Sequence, residues 1–490
     1  SQRFRDYRAI CERAEIIMLD SQARTNAKGF QSNGEMGKLV HGILGWEKLI
    51  PESMAMYQSG QPSFRVASKP EPEARLWVVE GIAGGLQPWW HHIGAYHEDR
   101  RQYRTAEPLW HWHAMNQEYL VNRRPISTVG VVWTQENVDF YGRDAAEDQV
   151  ALPQRGVTNA LMRARIPYLP IHADQIEASD EDLKLLILPN LGGLSDAQCD
   201  RIRHFVEAGG SLIASGETSL YDEWGDARPD FGLADVLGVH ATGAHHGSER
   251  AVAEAWDAWG KHTYLRLSPE LRGQVLGPQV GIEPPVVGQR HPVLTGFEET
   301  DILPFGGRLD VVRAEARTIS PLTFVPPFPI YPPETAWMRQ AMSSLPAVIL
   351  NETASGSRVA YLAADVDRCF GRDNLPDHAD LLANLIRWAL NGQVPLRVTG
   401  PGLVDCHLYR QEGRLILHLV NLTSAGTWRA PVHELIPVGP LRVEVRLPSG
   451  VSGQSAQLLV ADRPGAVSVV ADWVGVEVPA LTDHEVVVIE

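Results

Sequence analysis

The chain has 490 residues, too many for one ordinary hydrophobic core, so two to four domains are expected. Its 44% hydrophobic and 21% charged residues exclude wholesale disorder. A formal net charge of −16, with no Lys/Arg-rich run, argues against nucleic acid and anionic membrane as partners.

The four cysteines, Cys11, Cys199, Cys369 and Cys406, form no C-x-x-C pair. Neither a disulfide framework nor a thiolate zinc site is signalled, and a reducing cytoplasm fits this usage. The N-terminal stretch lacks the apolar core of a signal peptide, and no apolar run approaches the roughly 18 residues of a membrane span.

Residues 1–125 alternate helix and strand. A helix over about 3–13 leads into the apolar strand Ile16-Ile-Met-Leu-Asp20, and a second strand-like run covers 48–52. Apolar spacing at Ala74, Trp77, Val78 and Ile82 marks a long helix that Gly84 and Gly85 stop. The strand 86–90 and a helix over about 105–121 close the segment. This alternation means parallel β/α units, of which about three are present.

At Ile126 the pattern restarts with STVGVVWTQ, read as a buried parallel strand. A helix at 157–164, the segment 166–171, the strand 185–189 and a helix capped by Ser195 follow. The sequence EAGGSLIASG reads as a helix stop and a further strand; a strand at 358–363 and a helix at 377–390 end the block. Residues 126–393 therefore read as a doubly wound α/β domain, interrupted by an irregular Pro-rich insertion near 268–345. From 394 to 490 the apolar period becomes two, as expected of an all-β sandwich module.

The chemistry-capable residues of the first block lie at strand ends, where parallel β/α folds build their sites. They are Asp20, Glu52 and the run Gln87-Pro-Trp89-Trp90-His91-His92. Sugars present flat C–H faces ringed by hydroxyls, so a sugar site needs aromatic planes with fixed polar groups. Trp89 or Trp90 would supply the plane, and His91, His92 and Gln87 the hydrogen bonds. Because side chains alternate along a strand, one member of each pair is expected to face the site and the other the helices. Tyr57, Gln22 and Arg24 are weaker candidates, and Glu35 in Asn33-Gly-Glu35 is either a sugar contact or a cap for a helix starting at Met36. Adjacent histidines on a strand diverge, so His91, His92, His97 and Glu98 are not expected to bind metal, and no cofactor is called for.

The order of β/α units, doubly wound domain and β module resembles glycoside hydrolase family 42, the β-galactosidases. The phrases FQSNGEMGK, LIPESMAMYQ, GGLQPWWHH and NRRPISTVGVVWTQENVDFYGRD look like bacterial glycosidase-like proteins that share that plan. The resemblance implies that 1–125 is the C-terminal part of a TIM barrel, with 15–20, 48–52 and 86–90 as its sixth to eighth strands. It implies Glu52 as nucleophile of a retaining double displacement on a β-galactoside-like glycoside. The acid/base glutamate would precede Ser1, so further sequence or a second chain is expected to complete the barrel. It also implies an amidotransferase-like middle domain that forms a homotrimer. That domain reads Leu212-Ile-Ala-Ser-Gly-Glu217 where an amidotransferase places its cysteine, which removes a thiol mechanism. The alternative to hydrolysis is a non-catalytic carbohydrate-binding or assembly subunit.

Overall fold

A computed structural model describes residues 6–24, 28–60, 62–91, 98–177, 182–247, 262–277, 288–328, 332–426 and 430–490. His92 and His97 lie outside the described residues. The chain forms two compact units. One contains Thr128–Leu161 and Ile171–Gln393; the other joins Asp6–Ser127 and Met162–Pro170 to Val394–Glu490. The β/α block and the C-terminal β module, separate in the sequence reading, are thus one unit.

The helix Glu71–Ala83 explains the union. It is buried on every face from Glu73 to Ala83, too apolar to be covered by a few strands alone. Leu76, Trp77, Val79 and Ile82 share one core with Met54 and Met56 on one side and with Val420, Leu422 and Val432 of the β module on the other. Polar links follow the same contact. Tyr409 Oη donates to the Ala83 carbonyl at 2.5 Å, Arg123 Nη2 to the Ile82 carbonyl at 2.5 Å, and Arg75 pairs with Asp483. The Tyr409 and Arg123 donors satisfy carbonyls that the helix end leaves without intrahelical partners.

In the β/α part, Pro51–Ala55 runs parallel to Gln87–His91 in the register Glu52 to Pro88 and Ser53 to Trp89. The expected strand 15–20 is reduced to a parallel bridge between Leu19 and Glu52. The expected strand 48–52 begins instead at Pro51, because Ile50 closes the apolar run under the helices and the paired backbone starts only after it. The remaining helices are Tyr7–Arg13, Gln31–Leu44, Arg101–Met115 and Gln117–Leu120. Met36 is inside Gln31–Leu44, so Glu35 does not cap that helix. The β module forms a four-stranded sheet and, with Arg124–Pro125 added at the edge, a six-stranded sheet; the two share one apolar core of alternating residues, as a sandwich requires.

The other unit is built on a nine-stranded sheet. Val129–Trp133, Leu185–Leu188, Ser211–Ser215 and Arg358–Leu362 are its parallel centre. All four strands are nearly continuous apolar runs, as strands covered on both faces must be. Ser195 caps Asp196–Glu207 in a full capping box with Gln198. The region expected to be an irregular insertion instead supplies strands: Ile302–Pro304, Arg308–Ala314 and Ile319–Val325. Pro304 ends its strand and Pro321 falls where the Ile319–Val325 pairing is irregular, two places where a ladder donor is not needed.

Helix Leu152–Arg163 touches helix Val366–Asp373 backbone to backbone. A Cβ at Gly156 would stand 1.8 Å from the Asp367 carbonyl oxygen, and one at Gly371 would stand 2.2 Å from that of Leu152. Gly156→Ala must therefore push the helices apart, at a cost of about 1–3 kcal/mol. The expected result in thermal unfolding is a lower melting temperature; an unchanged one would show that the contact is looser than described.

Candidate functional site

The two paired strands sort their side chains by parity. Met54 and Glu52 turn toward helix Glu71–Ala83, where a Cβ on Gly81 would meet Met54 Cε at 2.8 Å and Glu52 Oε2 at 3.0 Å. Trp90 is on that side too, packed against the core and edge-on to Tyr103 with centroids 5.0 Å apart. Ser53, Trp89 and His91 take the other face: Ser53 Oγ lies 2.7 Å from His91 Nδ1, and the Trp89 and His91 rings stack at 6.0 Å and 13°.

A polar chain extends that second face. Gln22 Nε2 donates to Asp20 Oδ1 at 2.5 Å and lies 3.3 Å from His91 Nδ1, and the Tyr57 hydroxyl donates to Gln22 Oε1. Tyr57 stands edge-on to His91 at 6.1 Å. The backbone of Gln22 is held by Lys69 Nζ, and that of Ser21 by Trp77 Nε1. Along 16–20, Ile17 and Leu19 pack against the Val40, Ile50 and Leu86 cluster, so Ile16, Met18 and Asp20 point outward; all three are exposed. With Trp89 at 48% exposure, this face is an open surface of aromatic, apolar and hydrogen-bonding groups.

Of the residues singled out in the sequence, the structure brings Asp20, Gln22, Tyr57, Trp89 and His91 together. Gln87 begins its strand, half-buried, with its backbone N–H donating to the Ile50 carbonyl. Glu52 goes elsewhere. It is wholly buried on the helix side, where Asn33 Nδ2 donates to its Oε2 at 2.9 Å and its Oε1 has no hydrogen-bond partner among the described residues. Burial pushes its carboxyl up to about 8, only partly opposed by Asn33, so it is neutral at pH 7. The shifted strand is the reason: Glu52 is the second residue of Pro51–Ala55, one position out of phase with Ser53 and His91. Trp90 is displaced from the site by the same parity. Glu35 accepts from the Tyr168 hydroxyl at 2.8 Å, and Arg24 forms a buried pair with Glu73.

A cluster that the sequence reading missed lies in the same unit. Glu80, Asp405 and His407 offer ligand atoms within 4.8 Å of one another, all buried. His407 Nε2 is 3.3 Å from Glu80 Oε1 and 3.4 Å from Asp405 Oδ2. These are donor types that a divalent cation accepts. An imidazolium satisfies the two acids equally well. Asp405 and Glu80 raise the His407 pKa against its burial, and His407 holds Asp405 well below the usual carboxylate range. Glu80 and His407 come from distant parts of the chain, so no spacing motif announces them.

No protein-family model and no curated protein sequence matches the chain. Solved structures do. An α-L-fucosidase isoenzyme 2 from Paenibacillus thiaminolyticus superposes with a TM-score of 0.70 at 15% identity, covering 97% of this chain and 65% of its own. A β-galactosidase from Bacillus circulans sp. alkalophilus gives 0.68 at 15% identity, covering 99% and 62%. A GH42 β-galactosidase from G. stearothermophilus gives 0.65 at 14% identity, covering 99% and 60%. The chain has the fold of the GH42 β-galactosidases. It spans between 60% and 65% of the length of these three structures. No helix among the described residues is long and apolar enough to cross a membrane.

The buried Glu52 carboxyl has a measurable signature. In the unfolded chain it ionises near pH 4.5, whereas in the fold it keeps its proton to about pH 8. Its stability contribution is therefore complete below pH 4.5 and is lost as pH rises through 8, at about 1.4 kcal/mol per pH unit. Glu52→Gln keeps the shape and removes the ionisation. Its stability relative to the parent is expected to grow from about pH 5 to about pH 8 in urea unfolding and then level off; a constant difference would place an ionised Glu52 in the fold.

Proposed function

We propose that the chain is part of a glycoside hydrolase acting on β-galactoside-like glycosides, with the Trp89–His91 face as its sugar-binding surface. The observation that carries this reading is the stacked Trp89–His91 pair on an open strand face, fixed by Ser53 and Gln22 and bordered by Tyr57. An indole plane receives the C–H face of a sugar ring, while imidazole, amide and phenol groups hold its hydroxyls.

Retaining hydrolysis uses two carboxyl groups about 5–5.5 Å apart, one attacking the anomeric carbon and one serving as acid and then base. On this surface the carboxylate is Asp20, held by Gln22. We assign it the nucleophilic role in place of Glu52, whose neutral carboxyl on the helix side has neither the charge nor the direction to attack. Its acid/base partner is proposed to come from outside these residues, as are the strands that would cover Ile16 and Met18. A second chain or further sequence would supply both, and a homotrimer formed through the middle domain belongs to the same proposal.

The test uses p-nitrophenyl glycosides with the complete protein. Asp20→Asn is expected to lower kcat by a factor of about 1,000 or more, and Glu52→Gln to leave it within a few-fold. The opposite pattern would return the nucleophile to Glu52. Trp89→Ala is expected to weaken sugar binding about tenfold in calorimetry, equivalent to about 1.4 kcal/mol, whereas Trp90→Phe lowers the melting temperature and leaves binding intact.

A further inference from the structure

The unit built on the nine-stranded sheet contains a cavity of about 260 Å³ that the proposed hydrolase site does not use. It opens above the carboxyl ends of the parallel strands. Asn190 follows Leu185–Leu188, Ser215 ends its strand and leads to Glu217, and Asp365 and Arg368 follow Arg358–Leu362. After Val129–Trp133 the chain adds Tyr168–His172 on one side and then crosses to Leu185–Leu188 on the other. Such a reversal of strand order leaves a crevice at the carboxyl edge, the usual ligand position in open α/β sheets. The volume approaches the roughly 300 Å³ at which small-molecule pockets begin.

The chemistry of the walls selects the ligand. Arg308 pairs with Glu217 at 2.7 Å and Asp310 at 2.8 Å; Arg368 pairs with Asp365 at 2.6 Å and Asp148 at 3.1 Å. Four acids against two guanidiniums disfavour a phosphate or carboxylate ligand, and the guanidiniums disfavour a cation. Tyr141 donates its hydroxyl to Glu217 at 2.7 Å, and the Glu217 backbone N–H donates to Asn190 Oδ1 at 2.9 Å. Burial pushes the Asp310 carboxyl up to about 7, so near neutrality it both donates and accepts. Walls that alternate strong donors and acceptors match hydroxyl groups, each of which does both.

We propose that this cavity binds a neutral, hydroxyl-rich molecule of monosaccharide size, at a site separate from the Trp89 face. It goes beyond the hydrolase reading and stands or falls without it.

The test is isothermal titration calorimetry on the full chain carrying Trp89→Ala, which removes the aromatic plane of the other surface. The probes are D-galactose, L-fucose and D-glucose, with inorganic phosphate and acetate as charged controls. Saturable binding of at least one sugar is expected, lost by about tenfold or more when Ala145→Trp fills the cavity from its half-buried rim. Gln149→Trp provides a second filling substitution, and circular dichroism identifies a variant that has failed to fold. Absence of saturable binding for all three sugars, tighter binding of phosphate or acetate, or sugar binding unchanged in both folded filling variants would each overturn the proposal. Failure of the hydrolase reading registers separately, as Trp89 variants that bind and cleave glycosides like the parent.

Discussion

The site depends on the two-residue period of one pair of parallel strands. In Pro51–Ala55 and Gln87–His91, each step along the backbone moves a side chain from the helices to the open face. Ser53, Trp89 and His91 are on the open side because Met54 and Trp90 are needed in the core. A slip of one residue would exchange the two sets, exposing Met54 and burying His91, and the core would lose its largest contacts. Packing of the helix layer thereby orients the aromatic plane and the imidazole without any contact to a ligand.

That same layer holds an unusual density of buried ionisable groups. Glu52 stays neutral beside Asn33, while Glu80, Asp405 and His407 share charge between helix Glu71–Ala83 and strand Val404–Gln411. Removing one member of such a set leaves another charge buried without compensation, which is strongly destabilising. The helix carries both duties. Its Gly81 lies against Met54 and Glu52 of the strand, and its last carbonyls are bound by Arg123 and Tyr409.

Much of the fold is legible in the sequence. The helix stop after Ala83, the Ser195 cap and the continuous apolar strands of the middle sheet are local signals with local causes. Parity along Trp89–His91 is legible as a rule, and the structure decides which member faces outward. The position of Glu52 is not, since the apolar run Leu49–Ile50 reads like a strand and only pairing at Pro51 sets the phase. The region near 268–345 reads as irregular because its prolines interrupt the two-residue pattern while its backbone still pairs. Contacts such as Glu80 with His407, or Arg308 with Glu217, join distant parts of the chain and leave no spacing to find.

The most direct measurement is an NMR titration of tryptophan indole N–H signals with a β-galactoside, the Trp89 and Trp90 resonances being assigned by single phenylalanine substitutions. The Trp89 signal is expected to move saturably as sugar is added while that of Trp90 stays fixed in the core. A stationary Trp89 signal, or a shift confined to Trp90, would contradict the account of which face meets the substrate.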